Sequence, residues 1–119
     1  MTVLVDTSVW IQHFREGDEV LARLLSDGLV LTHPFVIGEL ACGNLKNRQA
    51  VLSDLISLPS AIPAANPEVV QLIEDRKLWG RGLGFVDVSL LASALLSDCH
   101  VWSLDKPLNE AALKLGLRR

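Results

Sequence analysis

A chain of 119 residues holds one compact domain and leaves no space for a second of similar size. Its 50% hydrophobic and 21% charged residues are those of an ordinary globular protein, which excludes a disordered or low-complexity chain. Eleven Lys and Arg against 14 Asp and Glu give a net charge of -3, which excludes a polybasic nucleic-acid binder but not an enzyme whose carboxylates hold metal.

In chain order, Val3, Leu4 and Val5 predict a short buried strand that ends at Asp6. Ser8 is placed to cap a helix carrying Trp10, Ile11 and Phe14, which Gly17 stops. Val20, Leu21, Leu24 and Leu25 share one face of a second helix that ends at Gly28. Leu29, Val30 and Leu31 read as a second strand. Pro34 fits the first turn of a third helix, where its missing N–H costs little, and that helix carries Phe35, Val36, Glu39 and Leu40 as far as Gly43. Val51, Leu52, Leu55 and Ile56 form the inner face of a fourth helix. Ser60-Ala61-Ile62 reads as another short strand. Asn66-Pro67-Glu68 has the order of cap, N1 proline and acidic first turn, with Leu72, Ile73 and Trp79 on or near the buried side of the helix that follows. Gly80, Gly82 and Gly84 then break the chain. A further helix starts near Asp87 and contains Leu90, Leu91, Ala94 and Leu95. His100 to Ser103 form the last strand, Asp105 follows it, and Pro107 opens a helix through Ala111, Ala112 and Leu115. Arg118 and Arg119 are expected to fray.

Short apolar strands separated by helices imply an α/β fold, with a mostly parallel central sheet flanked by helices in one domain over residues 1–119. Ligands of such folds sit beyond the carboxyl ends of strands, where Asp6 and Asp105 fall. Cys42 and Cys99 form no CxxC pair, so a zinc ribbon or thioredoxin-like site is excluded and both read as reduced, largely buried thiols. No basic stretch with a long apolar run opens the chain, and no apolar run reaches the roughly 18 residues of a spanning helix, so a cytoplasmic, membrane-free protein is expected.

Most acidic residues sit on polar faces or in loops. Four do not. Asp6 ends a core strand, Glu39 lies within the apolar run from Phe35 to Ala41, Asp87 stands between two valines, and Asp105 follows another core strand. Each has an ordinary reading on its own. Asp6 would accept backbone N–H groups in a turn, Glu39 would pair with a basic residue, Asp87 would be a helix N-terminal charge and Asp105 a cap. If the four meet at one end of the sheet, they repel one another and need protons or cations, for which Mg²⁺ or Mn²⁺ suits oxygen ligands. Such ions ready a water and hold a phosphodiester. Thr7, Ser8 and Ser103 are placed to orient a carboxylate, a water or a phosphate oxygen. Arg76, Lys77 and Arg81 beside the glycines, and Lys46 and Arg48 after Glu39, are candidate phosphate contacts at the rim, or plain solvated charges. Trp10 and Trp79 read as core or dimer contacts. His13, His33 and His100 lack metal-ligand spacing and read as surface or helix-start residues.

These segments carry a resemblance. Val5-Asp6-Thr7-Ser8-Val9-Trp10, His33-Pro34-Phe35-Val36-Ile37-Gly38-Glu39-Leu40, Gly82-Leu83-Gly84-Phe85-Val86-Asp87-Val88-Ser89 and Val101-Trp102-Ser103-Leu104-Asp105-Lys106-Pro107-Leu108 resemble, in order, the motifs of PIN-domain ribonucleases of the VapC toxin type. The resemblance covers nearly the whole chain. It implies a PIN-like three-layer α/β sandwich with Asp6, Glu39, Asp87 and Asp105 as an acidic quartet that binds Mg²⁺ or Mn²⁺. It also implies cleavage of RNA in single-stranded or loop regions to 5′-phosphate and 3′-hydroxyl ends, and a homodimer. A small antitoxin would cover the site, often with an arginine, and only that complex would bind promoter DNA. Ser103 stands where the family often has threonine, and Leu108 where it often has an aromatic. A haloacid-dehalogenase-like phosphatase needs a second aspartate where Ser8 stands, and a receiver domain needs a paired acidic motif that is absent. A structure-specific DNA nuclease on the same fold and a silent nucleic-acid-binding module remain the alternatives.

Overall fold

Val3–Val5 (β1) is buried at every residue. Successive strand side chains point to opposite faces, so both faces of the sheet are covered at this strand. The structure, a computed structural model, describes all of residues 1–119. β1 lies between Val30–Leu31 (β2) and His100–Trp102 (β3), parallel to both, in the order β2-β1-β3. The register pairs Val3 with Val30 and His100, and Val5 with Trp102. All three strands are therefore parallel and their carboxyl ends share one edge.

Seven helices surround them: Thr7–Glu16 (α1), Glu19–Ser26 (α2), Pro34–Ala41 (α3), Arg48–Ser57 (α4), Asn66–Arg76 (α5), Phe85–Ser97 (α6) and Lys106–Lys114 (α7). α6 is the central one, buried without a break from Val88 to Ala94. Within it Ser89 Oγ closes its own bond to Phe85 O at 2.8 Å, so its hydroxyl enters the core satisfied. Leu108 is fully buried in the same cluster of 24 side chains, so its place in the motif is one of packing. Burial pushes the Cys99 thiol above its ordinary range, which keeps it protonated and inert, whereas Cys42 is exposed rather than buried as expected.

Several local expectations are corrected. Ser60-Ala61-Ile62 is not a strand. It meets the sheet at a single parallel bridge, with Thr32 N donating to Pro59 O at 2.8 Å and Ala61 N to Thr32 O at 2.9 Å. β2 is only two residues long, so it has nothing further to offer a neighbour. Leu29 lies outside β2 and Ser103 outside β3. The C-terminus is tied down instead of frayed: Val101 N donates to Leu117 O at 2.7 Å, Arg119 N to Val101 O at 3.3 Å, and the Arg119 guanidinium lies 5.2 Å over the Trp102 ring. Ile56 and Trp79 are exposed, where helical spacing put Ile56 on an inner face and Trp79 on or near a buried side; Ile11, Phe14 and Leu95 are exposed as well. α5 begins at Asn66, one residue early, and Glu68 Oε1 accepts the Ala65 N–H at 2.9 Å.

Candidate active site

The sheet delivers two of the four carboxylates. Asp6 directly follows β1, and its N–H donates to Trp102 O at 2.9 Å, continuing the ladder by one step before the chain turns into α1. Asp105 stands three residues past β3 as the N-cap of α7, where Oδ2 accepts the Leu108 N–H at 3.2 Å. Glu39 projects from α3. Asp87 occupies the first turn of α6, which begins two residues earlier than expected, at Phe85, and its Oδ2 accepts the Gly84 N–H at 2.9 Å.

The ordinary readings of Asp87 and Asp105 as helix-start residues thus hold, while those of Asp6 and Glu39 do not. Asp6 accepts hydroxyls rather than backbone: Ser8 Oγ at 2.8 Å and Ser103 Oγ at 2.7 Å both donate to Oδ2. Glu39 pairs with no basic residue. Its Oε1 takes the Thr7 hydroxyl at 2.6 Å, and the chain's ion pair, Lys106 with Glu110 at 4.0 Å, is superficial.

The three hydroxyl residues all orient carboxylates. Ser8 is not the cap of α1, a position that Asp6 holds; Ser8 sits in the first turn and its Oγ accepts the Leu104 N–H at 3.0 Å. Ser103 Oγ accepts the Asp105 N–H at 2.9 Å, and its carbonyl takes the Asn109 amide at 2.8 Å. One network therefore links Asp6 to the segment that carries Asp105. Sequence reading missed Asn109, whose only signal is that it stands one turn past a capping aspartate.

Electrostatics joins the four. Burial raises the Asp87 carboxyl above its ordinary range against the lowering effect of the Gly84 N–H, and the charges of Asp6, Asp105 and Glu39 raise it further. Asp6 is buried, Asp87 half-buried, and Glu39 and Asp105 exposed, so the cluster runs from the sheet edge outward. No three of these groups close into a ready-made chelate. Each carboxylate has one oxygen held by a donor of the chain, and the other makes no hydrogen bond within it.

That donor set fits a hard divalent cation. Mg²⁺ dehydrates reluctantly, keeps several waters, and binds through one or two carboxylates together with phosphate oxygens rather than in a protein cage. Four free carboxylate oxygens, none in an ion pair with a cation of the chain, meet that requirement. The histidines offer nothing comparable. His13 Nδ1 accepts the Asp18 N–H at 3.0 Å, and His33 is buried at the start of α3.

The basic residues divide. Arg48 is withdrawn from the rim, because its guanidinium donates to Gly43 O and Ala41 O and fastens the end of α3. Lys46 shares a cleft of about 670 Å³ with Glu39. Arg81 lines another of about 290 Å³ with Leu83, Pro107, Glu110, Ala111 and Lys114. Lys114, which sequence reading passed over, reaches that cleft because α7 turns it to the side of Pro107. Arg76 and Lys77 are exposed at the end of α5, and no contact ties them to the carboxylates.

The PIN domain family matches residues 3–114. Ribonuclease VapC32 of Mycobacterium tuberculosis, in strains CDC 1551 / Oshkosh and ATCC 25618 / H37Rv, is 46% identical over 116 residues, 97% of this chain and 94% of that protein.

Proposed function

The chain belongs to the PIN-domain family, in its VapC branch, and from that premise we propose that it is an Mg²⁺- or Mn²⁺-dependent endoribonuclease toxin. The observation that carries the reading is the cluster of Asp6, Glu39, Asp87 and Asp105 at the carboxyl edge of a parallel sheet, each with one oxygen oriented by the chain and one free, and none paired with a base.

In this reading Asp6, Glu39, Asp87 and Asp105 would hold the divalent ion, which would supply charge neutralisation, a grip on the phosphodiester and activation of a water. The chain does the rest by orientation. Ser8 and Ser103 fix the plane of Asp6, and Thr7 fixes Glu39, so their free oxygens are aimed before a ligand arrives. Burial and the neighbouring charges make the ionised form of Asp87 costly, so it gains from a cation or a proton. Arg81 and Lys114 offer phosphate contacts for the strand beside the scissile bond, and the apolar wall of Leu83, Pro107 and Ala111 offers a surface for a base. Arg76 and Lys77 contribute only a more distant positive field.

VapC membership supports a small antitoxin as the natural inhibitor. The unpaired acidic cluster is chemically suited to an arginine from such a partner. The same membership supports a homodimer, contact with promoter DNA only through the antitoxin complex, and work in the cytoplasm. No helix is long and apolar enough to cross a membrane.

The test is RNA cleavage by the purified chain with Mg²⁺, with EDTA, and as Asp6→Asn. Cleavage confined to the first sample is expected, with 5′-phosphate ends. Equal cleavage in all three would refute the metal mechanism. Cleavage of DNA but not RNA would instead select the DNA nuclease, and binding without cleavage under any divalent ion the silent module. A monomer by light scattering at micromolar concentration would refute the homodimer.

A further inference from the structure

His33 is 2% exposed and has both ring nitrogens engaged. Nδ1 accepts the Phe35 N–H at 3.0 Å, which makes the ring the N-cap of α3. A nitrogen that accepts carries no proton, so the proton lies on Nε2, which donates to Ser93 Oγ at 3.0 Å. Ser93 is fully buried in the middle of α6, and its Oγ also accepts the Ala64 N–H at 3.2 Å. This is the one hydrogen bond that joins α3 and its cap to α6.

Those two helices carry Glu39 and Asp87. Glu39 lies six residues after His33, and Asp87 six residues before Ser93. At 1.5 Å per residue each carboxylate stands about 9 Å along its helix from the His33–Ser93 bond. The two arms run in opposite chain directions and end at the mouth, where Glu39 and Asp87 repel each other. Thr7 holds the Glu39 carboxylate itself but makes no hydrogen bond to α6. A simple helix cap such as serine or asparagine would satisfy Phe35 N–H without reaching Ser93.

We infer that His33 is a positioning residue: with Ser93 it forms a neutral clasp that sets the spacing of the Glu39 and Asp87 helices against the repulsion of their carboxylates, and so tunes the affinity of the site for a divalent cation. The inference rests on the metal reading above. It assigns no contact between His33 and substrate or metal.

The test is Mn²⁺ binding to the RNA-free protein, read as loss of the free-ion signal in electron paramagnetic resonance, far below the melting temperature of every variant. His33→Asn keeps an acceptor for Phe35 N–H but is too short for Ser93. Ser93→Ala removes one oxygen and cuts the clasp from the other side, so a folded probe remains should the histidine variant not fold. Each is expected to weaken Mn²⁺ binding about tenfold, the range of groups that orient metal ligands. The double variant should be no weaker than the worse single, because both remove one bond. Wild-type affinity in the variants, with only the melting temperature lowered, would overturn the clasp and leave the metal reading standing. Wild-type binding no stronger than that of Asp6→Asn would overturn the metal reading, and the clasp with it.

Discussion

At the scale of single residues, the hydroxyls around the carboxylates divide labour that the sequence shows only as proximity. Ser103 lies 97 positions from Asp6, yet its Oγ supplies one of the two donors that fix Asp6 Oδ2. Ser103→Ala leaves the carboxylate in place but held by Ser8 alone. Cleavage at fixed Mg²⁺ is expected to fall about 10- to 100-fold, the usual effect of removing a group that orients a metal ligand. Initial rates measure it, and a rate within twofold of wild type would deny Ser103 that role. Asp87 and His33 carry opposite pH signatures. The folded Asp87 carboxyl holds its proton above the ordinary value of 3.8, so the native state binds more protons than the unfolded one just above that pH, and ionising Asp87 costs stability as pH rises. Asp87→Asn keeps an acceptor for Gly84 N–H and loses the charge, so in metal-free protein at neutral pH its melting temperature should rise while cleavage is lost. A lower melting temperature would show that the charge is not a burden there. His33, held below its ordinary 6.5 by burial, resists a proton that the unfolded chain accepts. Its contribution is complete above pH 6.5 and is lost as pH falls below it. A melting temperature of His33→Asn less sensitive to pH between about 5 and 7 than that of wild type is the expected outcome. The four carboxylates were legible because an acidic residue inside an apolar run has few other uses. The partners of Asp6 and Glu39 were not, since a hydroxyl next in sequence and a basic residue far away look equally available on paper.

At the scale of elements, helix ends decided what periodicity left open. α2 starts at Glu19 because Asp18 Oδ1 accepts the Leu21 N–H at 2.9 Å, while His13 Nδ1 takes the N–H of Asp18 itself. The cap thus pins the α1–α2 corner at the opposite end of α1 from Asp6. Asp18→Ala is expected to cost about 1 kcal/mol, the usual worth of such a cap. That corresponds to roughly 4 °C in melting temperature for a domain of this size, with RNA cleavage unchanged. A loss of cleavage in the folded variant would show that the corner reaches the site. Helices were legible where apolar residues recur at one face and a proline or glycine marks the end, as in α3 and α7. The short strands were less so. Ser60 to Ile62 has strand-like composition, but pairing depends on a partner, and two-residue β2 extends to only one bridge. The C-terminal arginines misled for the converse reason. Composition marks them as mobile, whereas the free edge of β3 captures Leu117 to Arg119 through backbone bonds that do not depend on side-chain type.

For the whole molecule, the net charge of -3 conceals an uneven distribution. Setting the quartet aside leaves ten acidic residues against 11 basic ones, so the excess negative charge belongs to the proposed site. The parallel sheet gathers carboxylates from residues 6, 39, 87 and 105 at one edge because β1 and β3 end there and α6 begins there. The fold thereby holds together charges that an unfolded chain keeps apart in water, and that difference is a stability cost a ligand can remove. A divalent ion that binds the folded chain alone stabilises it by about 2.7 kcal/mol at 100 times its dissociation constant. Mg²⁺ and Mn²⁺ are therefore expected to raise the melting temperature well beyond NaCl of equal ionic strength, because screening weakens repulsion without occupying the free oxygens. Asp6→Asn should erase most of the difference between the two salts. An equal rise from NaCl and MgCl₂ in the wild-type chain would mean that the cluster is merely screened, and a rise undiminished in Asp6→Asn would place the bound ion elsewhere on the molecule.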